Sequence, residues 1–272
     1  MIATTLFFAL MNTGVKFIPY IPASEIVMFR ALVTLIVVYI LIRREGLNPW
    51  GNNKRLLIMR GLTGTVALLT YFYILQNMPL ASAVTILNLS PIFTIIIAGI
   101  MLREPARPIQ WLFFFVSFIG VLMIKGFDHR VSGFDLIIGI TAAAFSGLAY
   151  NFIRKLKDYD HPLIVVFYFP MVTIPIVSIY AIPRWVMPNF VEFLILIGIG
   201  ISTTAAQYCM TKAYHLERAS NISNFNYLGI IYALFIGFFI FNESIGILGI
   251  LGIALIVFGV IMGSRYGQVS DR

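Results

Sequence analysis

Along this chain, blocks of roughly twenty apolar residues alternate with short polar or basic connections, the pattern of helices that cross a bilayer. Ten blocks are predicted as spans: Ile2–Phe17, Ser24–Ile42, Leu56–Leu75, Ala81–Leu102, Pro108–Ile124, Phe134–Ile153, Pro162–Ile182, Val191–Met210, Ala219–Phe241 and Ser244–Met262. Pro19 and Pro22 close the first, Arg43 and Arg44 the second, and Pro91 falls near the middle of the fourth. The longest connection, Arg43–Arg55, holds the polar run GLNPWGNNK, a loop signal. Nothing is left over for a soluble domain. The chain opens almost directly in an apolar run without a basic leader, so no cleavable signal peptide is expected.

The ninth block departs from the pattern. Ala219–Gly237 reads ASNISNFNYLGIIYALFIG, and its first third carries Ser220, Asn221, Ser223, Asn224, Asn226 and Tyr227. Hydrocarbon offers these groups no partner, so each needs a neighbouring helix, water or a ligand. Ala81–Gly99, ASAVTILNLSPIFTIIIAG, echoes it at an offset of 138 residues, setting Ala81, Ser82, Asn88 and Gly99 against Ala219, Ser220, Asn226 and Gly237. At an offset of 139, Asn12 meets Asn151, Lys16 meets Lys155, Glu104 meets Glu243 and Gly120 meets Gly259. The chain therefore reads as a duplication, with five-helix units at 1–126 and 133–265.

Composition narrows the class. Of the 272 residues 60% are hydrophobic and 11% charged, where a soluble domain carries about 25% charged residues. An all-α integral membrane protein of the cell membrane, of bacterial inner-membrane type and multi-pass, is expected. The net charge of +8 sets orientation rather than marking a nucleic-acid partner. Fourteen lysines and arginines, Arg60 among them, are assigned to the connections after spans two, four, six and eight and to the C-terminal tail; Lys16, Lys125, Arg130 and Arg184 fall on the other side. That imbalance puts both termini in the cytoplasm. An odd number of spans per unit makes the second copy enter from the opposite side. The repeat is then inverted about an axis in the membrane plane, an architecture common among secondary carriers. The single cysteine, Cys209, forms no internal disulfide, and no metal or cofactor is expected.

The order of these segments resembles a known family. ASAVTILNLSPIFTIIIAGIMLREP followed by GVLMI in the first unit, and ASNISNFNYLGIIYALFIGFFIFNES followed by FGVIMG in the second, look like the EamA-type carriers of the drug/metabolite transporter superfamily. The segment EIVMFR, Glu25–Arg30, resembles that family's second helix. The resemblance covers essentially the whole chain. It implies a ten-helix metabolite carrier with a central cavity, and it names no substrate.

Candidate lining residues follow from depth and face. Asn88 and Asn226 each lie about seven residues from one helix end, roughly 10 Å deep, and bracket the midplane from opposite sides. Ser220, Ser223, Asn224 and Tyr227 share a helix face, as do Ser82, Thr85 and Asn88. Pro91 cannot donate its backbone hydrogen bond, which leaves a carbonyl one turn earlier free. Tyr71 and Tyr73 on the third span, Tyr150 on the sixth, and Gln207 with Tyr208 on the eighth offer apolar faces with polar tips. Asn12, with its copy Asn151, joins the candidate set. The competing reading is that the amides hold helices together and the tyrosines form an interfacial belt.

Arg30 is the one charge expected well within a span, roughly 9 Å deep. It either contacts an anionic substrate group, pairs with carbonyls and amides across helices, or snorkels outward. Lys16 and Glu192 are expected to snorkel, and Glu104 and Glu243 to sit at helix ends, so no deeply buried acid supports proton coupling, with Glu25 as the one alternative if the outer cavity is open. Gly259 and Gly263, with Gly246, Gly249 and Gly252, mark close helix packing, internal or between two copies in a homodimer.

The expected function is secondary transport of a small, amphiphilic organic metabolite, with an anionic or zwitterionic solute as one option, by alternating access. Channel and membrane-scaffold readings stand as alternatives. An enzyme is not expected: His129, His161 and His215 lie in separate connections, and no HExxH or glycine-rich phosphate loop is present.

Overall fold

The structure, a computed structural model, describes residues 1–101, 108–127, 131–216, 227–243 and 246–268. Its regular elements are all helical: α1 (Ile2–Phe17), α2 (Ala23–Arg44), α3 (Lys54–Asn77), α4 (Leu80–Leu87), α5 (Ser90–Met101), α6 (Pro108–Phe127), α7 (Gly133–Leu156), α8 (Pro162–Ala181), α9 (Phe190–Leu216), α10 (Tyr227–Phe241) and α11 (Ile247–Gln268). Six stretches are long and apolar enough to cross a membrane: α2, α3, Leu80–Met101, α7, Pro162–Arg184 and Phe190–Ala213. Four shorter apolar helices accompany them: Ile2–Phe17, Pro108–Met123, Leu228–Phe241 and Ile247–Gly263. Large apolar side chains such as Phe115, Phe118, Phe235 and Phe238 point outward, as a lipid-facing surface requires.

Local chemistry sets where the helices begin. Asn53 caps α3 by accepting from the Leu56 amide at 3.2 Å, and Ser132 caps α7 by accepting from the Asp135 amide at 3.0 Å. His161 stands at the N-cap of α8, ahead of Pro162, whose fixed φ suits a first helical turn. The fourth predicted span is not one continuous helix. It breaks at Asn88–Leu89, between α4 and α5. Pro91 lies in the first turn of α5, where its missing N–H leaves no intrahelical bond unmade, rather than in the middle of a helix.

Helix contacts recur at the 139-residue offset, and they exchange partners. Thr34 in α2 hydrogen-bonds Thr204 in α9 at 2.9 Å, and Thr65 in α3 hydrogen-bonds Thr173 in α8 at 2.7 Å. Thr173 is the copy of Thr34, and Thr204 the copy of Thr65. A methyl at Gly61 would lie 2.6 Å from the Val172 Cβ, and one at Gly200 would lie 2.5 Å from the Val33 Cβ. Between α6 and α11, a methyl at Gly120 would meet the Gly252 carbonyl at 2.6 Å, and one at Gly259 the Phe113 carbonyl at 2.5 Å. In each case residue i touches the copy of j while j touches the copy of i, the signature of a two-fold relation. Gly259 and Gly263 are used inside the chain: Gly263 packs on Phe114, and its carbonyl accepts from the Gln110 amide at 2.8 Å.

One end of the bundle is closed by polar contacts. Lys16, at the end of α1, pairs with Glu243 beyond α10 and donates to the Met78 carbonyl at 2.8 Å. The Glu243 carboxylate also accepts from the Leu80 amide, at the start of α4, at 2.8 Å. Lys16 therefore turns inward to a carboxylate and a carbonyl instead of snorkelling. At this same end Gln76 donates to the Ile21 carbonyl at 2.8 Å. Glu25 is fully buried at the start of α2 and accepts from the Val186 amide at 3.0 Å. At the opposite end Asp160 accepts from the Asn52 and Asn53 amides, and Tyr168 donates to the Trp50 carbonyl, tying the α2–α3 connection to the α7–α8 turn.

Candidate functional site

Away from the closed end, α1, α2, α3, the α4–α5 break, α7, α8, α9 and α10 surround a cavity of about 150 Å³. Of the sequence candidates, Asn12, Arg30, Tyr71, Asn88, Tyr150 and Gln207 all line it. Tyr73, Ser82 and Thr85 are not in the lining, and Ser220 and Ser223 lie outside the described residues. Four more candidates stand apart. Tyr208 is absent from the lining; it packs beside the buried cluster around Val38, Leu57 and Leu163, with the Lys212 ammonium 6.0 Å from its ring. Asn224 and Asn226 lie outside the described residues, and of Tyr227 only the backbone is described.

The sequence reasoning missed a second cation. Arg60, grouped above with the loop charges, lies in the second turn of α3 and is only 4% exposed. Its signal is in the sequence: it falls inside the predicted third span, beyond Lys54 and Arg55. Helical phase turns it away from those neighbours and into the cavity. Arg30 is 1% exposed, which removes the snorkelling option. Both guanidiniums lie over the Phe169 ring, Arg30 at 5.5 Å and Arg60 at 4.7 Å from its centroid, and Arg30 also faces Phe72 at 5.7 Å. The rings attract the cations without accepting their hydrogens in the plane of the guanidinium.

Gly64 makes the Arg60 geometry possible. One turn along α3, a methyl at that position would collide with Arg60 Nη1 and come within 2.7 Å of Phe169 Cε2. The bare backbone there lets the guanidinium lie against its own helix.

Several polar atoms in the cavity have no protein partner. They are Arg30 Nε, Arg60 Nε and Nη1, Asn12 Oδ1 and Gln207 Oε1. Asn12 faces the Tyr71 hydroxyl, and the Asn88 side chain donates to the Val84 carbonyl at 2.8 Å. Asn151, the copy of Asn12, behaves differently. It donates to the Thr94 and Gly147 carbonyls, both at 3.0 Å, and so pins α5 to α7. Helix-to-helix amide bonding thus accounts for Asn151, while Asn12 and Gln207 keep unpaired oxygens in the cavity. Around these groups the walls are apolar, with Phe8, Leu68, Leu87 and Met210. The combination of apolar walls and a few convergent polar groups is that of a small-molecule site.

Arg30 and Phe169 are copies of one another at the 139 offset, and they touch. A two-fold relation between the copies would bring such a pair together beside its axis.

Known proteins share the fold and part of the sequence. The chain is 31% identical to the pseudopaline exporter CntI of Pseudomonas aeruginosa over 265 residues, covering 95% of this chain and 92% of that protein. It is 24% identical to a riboflavin transporter of Vibrio cholerae, covering 89% and 84% of the two chains. It is 26% identical to an S-adenosylmethionine uptake transporter of Rickettsia prowazekii, covering 80% and 75%. A solved crystal structure shares the fold with a TM-score of 0.70 and 15% identity, over 99% of both chains. The profile of the EamA-like transporter family matches residues 1–126 and again residues 134–265. With a family match over nearly its whole length and multiple apolar helices, the chain belongs to the EamA-like transporter family and is a multi-pass cell-membrane protein.

Proposed function

We propose that the protein is a secondary transporter that carries a small, amphiphilic organic metabolite through the cavity between its two halves by alternating access. In this reading ten spans form two five-helix units, 1–126 and 133–265. They are inverted about an axis in the membrane plane, with both termini cytoplasmic. The exchange of threonine and glycine contacts at the 139 offset supports the two-fold relation. The basic residues support the orientation, since the imbalance survives moving Arg60 into the membrane. One observation carries the functional claim: a cavity beside the axis holds two buried arginines and several unpartnered polar atoms. A scaffold has no use for such groups at that depth, where an arginine costs about 2.5–3.5 kcal/mol even on insertion scales.

The relatives' names include an exporter and an uptake carrier, so this architecture serves traffic in both directions. The Lys16–Glu243 pair and its bonds to Met78 and Leu80 act as the seal at the outer end. Opening that end breaks these contacts, while the Asn88–Leu89 break and Gly229, which lines the cavity opposite Val84, let the halves rock.

The test is a thermal-shift screen of metabolites on the purified protein, followed by uptake of each stabilising compound into proteoliposomes. A compound that binds the native state raises Tm. Asn88→Leu and Asn226→Leu are expected to abolish its uptake while leaving expression intact. Normal uptake by both variants would remove these amides from the site.

A further inference from the structure

Resting on the transporter reading, we propose that Arg30 and Arg60 together form a seat for the acidic head of the solute, which makes this protein a carrier of organic anions with an apolar or aromatic body. Both side chains are more than nine-tenths buried, and both line the cavity. No carboxylate among the described residues lies within 4 Å of either guanidinium. The acids buried among the described residues meet other groups: Glu25 Oε2 accepts from the Val186 amide, Asp135 from the Ser132 hydroxyl, and Asp160 from the Asn52 and Asn53 amides.

Arg30 Nε, and Nε and Nη1 of Arg60, lack any protein acceptor. The shared Phe169 ring attracts both guanidiniums but gives these three nitrogens no acceptor. Two like charges in one apolar cavity repel, and each lacks hydrogen-bond acceptors. An anionic group between them removes both penalties at once. Carboxylate and phosphate oxygens match the guanidinium fork, and a point cation would be repelled. The apolar walls at Leu68, Leu87 and Met210 then meet the rest of the solute. Gly64 leaves room for Arg60 to lie where it does, since a methyl there would displace the guanidinium.

The probes are 4-hydroxyphenylacetate, malate and glycerol 3-phosphate, with uncharged 4-hydroxyphenylacetamide, sodium chloride and inorganic phosphate as controls. They are run on the full chain in nanodiscs beside a panel of neutral and cationic metabolites. At least one organic anion is expected to raise Tm where the amide does not. Its Kd should weaken tenfold or more in Arg30→Gln and in Arg60→Gln, with partial recovery in the lysine variants. The unliganded Gln variants should melt no lower than wild type, because an uncompensated charge has left the interior.

Gly64→Ala supplies a variant that keeps the charge, and it is expected to lose anion protection selectively. Equal protection by chloride or inorganic phosphate alone would overturn the proposal by assigning the seat to a structural counter-ion. It would also be overturned if the Gln variants melted far lower yet kept anion protection, which would make the arginines structural pins. Protection only by neutral or cationic compounds, surviving in both Gln variants, would overturn the anion seat and leave the transporter reading standing. Protection by nothing in the panel would overturn both.

Discussion

Arg30 and Phe169 stand 139 residues apart, at matching places in the two halves of the chain, and touch each other; Thr34 and Thr173 also stand at matching places but share a role instead. The second pair is identical, and each threonine hydrogen-bonds the copy of the other's partner. The contrast runs through the whole duplication. Several positions where helices approach are kept: Gly61 and Gly200, each against a valine, and Gly120 and Gly259, each against a backbone carbonyl; Gly14, against Ile199, is instead Ile153 in the second half. Positions that face the cavity are kept less well: Asn12, Ala67 and Asn88 recur as Asn151, Ala206 and Asn226, but others change. Arg60 becomes Ile199, Gly64 becomes Thr203, Tyr71 becomes Met210, and Leu68 becomes Gln207. Helix packing is set by shape, and a two-fold relation lets one solution serve twice. A solute has no such symmetry, so several of the residues that would hold it differ between the copies, and both arginines buried among the described residues lie in the first half.

Making the halves alike is the sharpest way to break this comparison. Arg30→Phe places the second half's residue in the first. It is expected to reduce kcat/KM for transport by about 100-fold or more, since losing one partner of a buried charged contact costs about 3–5 kcal/mol. The variant should still reach the membrane at normal levels, and transport near wild type would show that the asymmetry has no function.

The packing side of the comparison predicts matched rather than unequal effects. Gly61→Ala and Gly200→Ala each force a methyl into a valine, and each is expected to destabilise the protein by about 1–3 kcal/mol, read as similar falls in Tm. One variant behaving as wild type while the other fails to fold would deny that the contacts are equivalent. Smaller still are the losses expected for Thr34→Val and Thr65→Val. Thr204 and Thr173 keep backbone acceptors at 2.8 Å in the Gly200 and Phe169 carbonyls, so neither is left unsatisfied. About 0.5–1.5 kcal/mol each is expected, with nearly additive loss in the double variant.

Much of the architecture is legible in the sequence because apolar length alone sets a span. The predicted Ile2–Phe17 matches α1 end to end, and α6 and α8 begin at the predicted Pro108 and Pro162. Arg30 and five amides and tyrosines among the candidates fall around one cavity because polar side chains in apolar runs need water, a ligand or a helix partner, and Asn151 takes the last of these. The failures have physical causes as well. Arg60 was indistinguishable by charge from Lys54 and Arg55, and only helical phase turns it inward. Lys16 escaped the snorkelling rule because Glu243, remote in sequence, meets it. Tyr208 follows Gln207 directly, so on a helix it points about 100° away from its cavity-facing neighbour. The 88–89 break depends on where α4 stops against its neighbours, which Pro91 announces only to within a turn.

The central claim is that one cavity is exposed to each side in turn, with the outer end sealed by the Lys16–Glu243 contact. A cysteine at Ser146, which lines the cavity, can report this in a Cys209→Ser background with membrane-impermeant thiol reagents applied to either face of oriented vesicles. A second version carries Lys16→Cys and Glu243→Cys, oxidised to a disulfide before labelling. The account predicts labelling at residue 146 from both faces in the free protein. In the cross-linked protein, labelling should persist from the cytoplasmic face, vanish from the outer face, and return from the outer face on reduction. Unchanged labelling from the outer face with the cross-link in place would contradict it.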